Sequence, residues 1–236
     1  MKEILRVLVG SRAHQTHGPD SDYDYKGIYA IPTSELLTIE HNANPPKGSQ
    51  LIDGKKDDIN FEIGKFLAMA RKSNPTILEV FWAPRIAAFS AGDPWYKLGS
   101  ELRDLFPYTW SSIGVKNAFI GYGLEQQKKM LDRRDKRSTK HAIAYLRILY
   151  QGYMLLSTGV LPVSMLNSPI WDTILEWKPM EMPPIGEVID LCMSWQNKLR
   201  AAYDENPDKQ TNMEPLNEFL LKVRKGYWDD ESINFT

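Results

Sequence analysis

The sequence predicts an α+β protein, with a small mixed β-sheet domain over residues 1–100 and a helical domain over residues 101–236. Three observations carry this expectation. Short runs rich in Ile, Val and Tyr, each closed by a turn residue, crowd the N-terminal part. Long helix-period patterns dominate from about residue 111. The texture changes near residues 90–105, which sets the boundary there.

Taken in order, residues 3–9 are rich in Ile, Leu and Val and read as a buried strand ending at Gly10. Alternating Tyr and Ile over residues 23–31 give a second strand, closed by Pro32. A Pro/Gly/Asn loop spans 42–49, and "DDINFEI" follows as a third strand candidate. Ile63, Phe66, Leu67 and Ala70 then fall at helical spacing. Asn74 and Pro75 form an N-cap and first-turn proline for a short helix at 76–82. In the C-terminal part, helices are expected over 111–134, 138–157, 185–204 and 213–226, the second stopped by Gly159 and Pro162. The proline-rich segment 160–184 reads as an irregular connection.

Composition narrows the function classes. The chain has 236 residues, 42% hydrophobic and 25% charged, enough for a substantial core. A net charge of −1 advertises no chain-wide field for nucleic acid or membrane. One cysteine, Cys192, excludes an internal disulfide framework and a multi-cysteine zinc site. No apolar run approaches the roughly 20 residues of a membrane span. The opening "MKEILRVLVG" is too short for a signal peptide and lacks a cleavage site, so a cytoplasmic protein is expected.

The chemistry concentrates in "VGSRAHQTHGPDSDYDYKGIY", residues 9–29. Residues i and i+2 of a strand point to one face, so Asp22 and Asp24 can aim two carboxylates at one point. Mg²⁺ takes one or two carboxylates and leaves its other positions to water and substrate phosphates. In the third strand Ile59, Phe61 and Ile63 are expected to face the core, with Asp58, Asn60 and Glu62 opposite. That parity makes Asp58 the third carboxylate and sets Asp57 aside. Gly10-Ser11, directly after the first strand, supplies close backbone approach, N–H groups and a hydroxyl for a phosphate.

Strand, Gly10-Ser11, then Asp22-Tyr23-Asp24 resembles the signature of the DNA polymerase β-like nucleotidyltransferase superfamily. The blocks "DINFEIGKFLAMARKSNPTILEVFW" and "KHAIAYLRILYQGYMLLSTG" extend this. Residues 1–165 are similar to nucleotidyltransferases associated with RNA repair operons of bacteria and phages. The resemblance implies that Gly10 and Ser11 contact nucleotide phosphates. It also implies that Asp22, Asp24 and Asp58 bind two Mg²⁺ (or Mn²⁺) ions, with an NTP as substrate. Gln15 stands where that family usually has glycine.

Arg12, beside the phosphate loop, is a candidate to neutralise a triphosphate. His14 and His17 read as loop histidines, and Trp171, Trp177, Trp195 and Trp228 as core or docking aromatics. Asn74-Pro75 and Glu79 read as a cap and a helix-surface ion pair. Segment 128–140 carries seven Lys or Arg against two Asp. Within it Lys129, Arg133, Lys136 and Lys140 are spaced as one helical stripe. Such a stripe is either a solvated face or a binder of nucleic-acid or triphosphate phosphates, with Lys140 ranked first for the nucleotide. The expected reaction is transfer of an NMP to a hydroxyl acceptor, an RNA or tRNA end favoured. The alternatives are nucleotidylation of a protein side chain and a non-catalytic nucleotide-binding module.

Overall fold

The structure, a computed structural model, describes residues 1–40, 58–86, 93–132, 134, 136–230 and 233–235, with Asp58 described by its backbone alone. The sheet has three strands in the order β1 (Lys2–Val9), β2 (Asp24–Ala30), β3 (Asp58–Glu62). β1 runs antiparallel to β2 and β2 parallel to β3, so the sheet is mixed. The loop predicted at 42–49 lies outside the described residues.

Both faces of this sheet are covered. Asn60, on one face, is 2% exposed, and Phe61, on the other, is 8% exposed. The predicted division into a core face and a polar face is therefore corrected. Ile59 pairs with Lys26 and Phe61 with Ile28, and these alternate along β2 with Asp24. The face of Ile59 and Phe61 is thus the face of Asp24. Ile63 leaves the strand altogether and opens a helix. Polar and apolar alternation identifies a solvent face only where one face meets solvent.

The helices follow their caps. Gly10–Ala13 forms a single turn, α1, directly after β1, and α2 is Thr33–Leu36. Glu62 caps α3 (Ile63–Ala70) by accepting from Gly64 N at 2.8 Å. Asn74 Oδ1 accepts from Thr76 N at 3.0 Å, with Pro75 in the first turn of α4 (Pro75–Leu78), as its sequence predicts. A 3-10 turn, Glu79–Phe81, continues it. Helix α5, Pro94–Asp104, capped by Asp93, occupies most of the predicted boundary region. Helices α6 (Ser112–Leu131) and α7 (Ser138–Thr158) pack against each other, and Gly159, at φ +73°, ends α7. The connection 160–184 is not wholly irregular, since it contains α8, Trp171–Trp177. Helices α9 (Ile185–Glu205) and α10 (Met213–Gly226) complete the chain.

One contiguous cluster of buried side chains runs from Ile4 and Val7 in the sheet to Leu149 in α7 and Leu199 in α9. Trp177 and Trp195 belong to it, whereas Trp228 is 49% exposed. Cys192 is buried in the same cluster, and burial pushes its thiol up to about 12, which makes it inert. Among the described residues no helix is long and apolar enough to cross a membrane.

Candidate active site

The site begins where β1 ends. Val9 pairs with Asp24, so the residue after Val9 turns over the start of β2. That residue is Gly10, at φ +70°, and a Cβ there would overlap the Asp24 carboxylate. Both the backbone conformation and the close approach of Asp24 require glycine. Gly10, Ser11 and Asp24 open together on a cavity of about 580 Å³.

Helix α7 and its approach form another wall. Lys136, Arg137, Lys140 and Arg147 line the cavity, and Lys178 joins them from the end of α8. Among its described lining residues the only carboxylates are Asp24 and Glu181. Five cations therefore surround two anions, a balance suited to a polyanion.

Asp22 is exposed and precedes β2. Its segment is held by Arg12, whose guanidinium donates to Ser21 O at 2.6 and 3.0 Å and to Asp22 O at 3.3 Å. The same guanidinium lies 3.8 Å from the Tyr23 ring centroid. Arg12 thus fixes the loop that carries Asp22, and it is not among the residues lining the cavity. Among the described residues no three His, Cys, Asp or Glu side chains gather into a metal cage. The donors still fit Mg²⁺, which needs hard oxygens and only one or two carboxylates beside substrate phosphates. Position 58 is set against Tyr25 in the register, between Asp24 and Lys26.

His14 and Glu79 lie deeper than their sequence context implies. Glu79 is 7% exposed and takes Lys26 Nζ at 2.9 Å and His14 Nε2 at 3.2 Å. Arg147 stands 3.9 Å away and donates to Gln151 Oε1 at 2.8 Å. Burial alone would raise the Glu79 carboxyl. Lys26 foremost, with the His14 hydrogen bond and Arg147, instead holds it well below the usual carboxylate range. Burial, then Arg147, lowers His14 from 6.5 to about 4, so its ring is neutral near pH 7. With Glu79 ionised, Nε2–H is the donor of that pair. The loop-histidine reading of His14 and the surface ion-pair reading of Glu79 are both corrected. His17 is partly buried, and its carbonyl accepts from Lys178 Nζ at 2.5 Å.

Sequence reasoning missed Glu79, Lys26 and Arg147 as one unit. A signal was present, since Glu79 and Arg147 are lone charges in the apolar runs "PTILEVFW" and "AYLRILY". A charge in such a setting is buried and needs a partner. The basic stripe is also corrected. Helix α6 ends at Leu131 and α7 begins at Ser138, so Lys129, Lys136 and Lys140 do not share one helix. Lys136 and Lys140 line the main cavity, while Lys129 lines a neighbouring one. Arg133 lies outside the described residues. Gln15 stands at φ +63°, the left-handed conformation that a glycine would adopt freely.

None of the curated proteins matches the chain. The model of the RNA repair pathway DNA polymerase beta family (RlaP) matches residues 1–174, which include Gly10, Ser11, Asp22, Asp24 and both cavity-lining cations of α7, Lys140 and Arg147. With most of its length matched, the chain belongs to the RlaP family of polymerase beta-like proteins.

Proposed function

We propose that the protein transfers an NMP from an NTP to a hydroxyl acceptor, an RNA or tRNA end favoured, and releases pyrophosphate. The observation that carries this reading is the meeting of Gly10 and Asp24 at the mouth of a cavity lined by five cations. The family supports it through its polymerase beta-like character and its RNA repair association.

In this reading Asp22 and Asp24, with a third carboxylate from the Asp57–Asp58 pair, would hold two Mg²⁺ (or Mn²⁺) ions. Such ions, when bound, supply charge neutralisation and Lewis acidity at the reacting phosphorus. Ser11 and the backbone after Gly10 hold the triphosphate tail, and Lys140, Lys136 and Arg147 balance its charge. Arg12 keeps the Asp22 segment in place. The acceptor hydroxyl attacks the α-phosphorus, the bond to the bridging oxygen breaks, and pyrophosphate leaves. The hydroxyl proton passes to a carboxylate of the site and then to solvent. Positioning and electrostatics supply most of the catalysis, since phosphoryl transfer asks for little covalent help.

The test is incubation of the protein with each α-labelled NTP, Mg²⁺ and bulk RNA. Label on RNA, lost in Asp22→Asn and Asp24→Asn variants that fold normally, is the expected result. Label on protein would make a side chain the acceptor, and NTP binding without transfer would make the protein a binding module.

A further inference from the structure

We propose that a second, smaller cavity is a subsite for a backbone phosphate of the acceptor RNA strand. This rests on the nucleotidyltransferase reading above and names how its acceptor is held. The cavity, about 290 Å³, lies between α6 and α7 and holds room for about ten water molecules. It shares Lys140, Ala144 and Arg147 with the main cavity. These residues recur at i, i+4 and i+7 on α7, so one face of one helix is the wall between the two chambers.

The charge of the smaller chamber points to an anion. Lys129, Lys140 and Arg147 line it, and Glu79 is the only carboxylate among its lining residues. That carboxylate is engaged by Lys26 at 2.9 Å, from outside the chamber's lining, and stands 3.9 Å from Arg147, so even counted wholly against Arg147 it leaves Lys129 and Lys140 unbalanced among the lining residues. A positive surplus is left facing the space. Arg147 is 13% exposed and braced by Gln151, whose own Nε2 donates to Pro162 O at 2.7 Å. Arg147 is therefore a fixed cation at the junction rather than a solvated one. Gln126 and His141, hydrogen-bonded at 2.9 Å, line the same space, and Thr76 and Tyr122 add hydroxyls.

Two basic chambers with a common wall suit a ligand that spans both. The main cavity carries enough cations for a triphosphate without Lys129. A polymer whose reacting hydroxyl reaches Asp24 from one side must leave its next phosphates nearby, and the smaller chamber offers charge there. Recognition of this kind carries no sequence information and is strongly dependent on salt.

The test uses the full chain, a fluorescent single-stranded RNA of about twelve nucleotides, and an NTP analogue that cannot be transferred, with binding of each measured separately. Lys129→Ala is expected to lower RNA affinity by about fivefold to tenfold and to flatten its log–log salt slope by roughly 0.7. NTP affinity should stay unchanged. Lys128→Ala, at an exposed position paired to Glu125 at 2.6 Å and outside the chamber's lining, should change neither. Equal losses from Lys128→Ala and Lys129→Ala would overturn the subsite in favour of a diffuse field. Loss of NTP affinity in Lys129→Ala with RNA binding intact would give the chamber to the triphosphate and overturn the proposal. A protein that binds NTP but holds RNA indifferently to Lys129 keeps the nucleotidyltransferase reading and loses the subsite. One that shows the Lys129 dependence but binds no NTP keeps the subsite and loses that reading.

Discussion

At Gly10 two independent constraints coincide, a left-handed backbone at φ +70° and a carboxylate where a Cβ would stand. Substituting alanine violates both. The backbone strain costs about 1–2 kcal/mol, and the overlap must be relieved by moving Asp24 or the turn. Movement of a catalytic carboxylate by about 1 Å costs on the order of 100-fold in rate. Gly10→Ala is therefore expected to fold with slightly reduced denaturant resistance and to lose about 100-fold in turnover. Denaturation and single-turnover kinetics on one preparation check both parts, and wild-type turnover would show that Asp24 is not placed by this contact. Gln15, at φ +63°, adopts the same left-handed conformation while carrying a side chain.

At the scale of elements, local signals carried well. Asn74-Pro75 capped α4 and Gly159 stopped α7 as their chemistry demands, because a cap acts within a few residues. Helix α5 was hidden because Asp93-Pro94, its cap and first-turn proline, also reads as a linker signal. The stripe from Lys129 to Lys140 failed because a helical spacing says nothing about whether the helix continues through Asp132. The assignment of an apolar core face and a polar face to β3 failed for a tertiary reason, since Asn60 is buried at 2% exposure while Ile59 is 37% exposed. The observed register has a consequence for the third carboxylate. Ile59 pairs with Lys26, and Lys26 shares its face with Asp24, so odd-numbered positions of β3 share the face of Asp24. Asp58, paired with Tyr25, falls on the opposite face, which leaves Asp57, outside the described residues, as the candidate to test. Asp57→Asn should lose at least about 100-fold in transfer, the scale of a lost electrostatic partner in a transition state, and Asp58→Asn should stay within a few-fold of wild type. The reverse outcome in a transfer assay would restore the parity first read from the sequence and place a one-residue slip in this register.

At the scale of the whole molecule, Glu79 joins parts that the sequence places far apart: Lys26 on β2, His14 after α1, and Arg147 on α7. The sheet and the helical part share one core, and this network crosses it beneath the main cavity. Stability should accordingly follow the protonation of His14. Its folded pKa is depressed to about 4 from 6.5, so between those values the unfolded chain binds a proton that the folded chain refuses. Stability is then greatest above pH 6.5, falls as pH drops by up to about 1.4 kcal/mol per unit, and levels off below about pH 4. The whole window is worth up to roughly 3 kcal/mol. Glu79 does not share this window. Its folded pKa lies well below 4.5, so its contribution is present above pH 4.5 and is lost only as pH falls through that lower value. Urea denaturation at several pH values between about 7.5 and 5 should show the wild type losing stability steadily, and His14→Gln should lose most of that slope. Glu79→Ala is expected to cost about 3–5 kcal/mol throughout that pH range, because Lys26 and Arg147 would be left buried without their countercharge. A pH slope that survives in His14→Gln would move the linkage to another group, and a Glu79→Ala variant as stable as wild type would mean that these cations reach solvent without it.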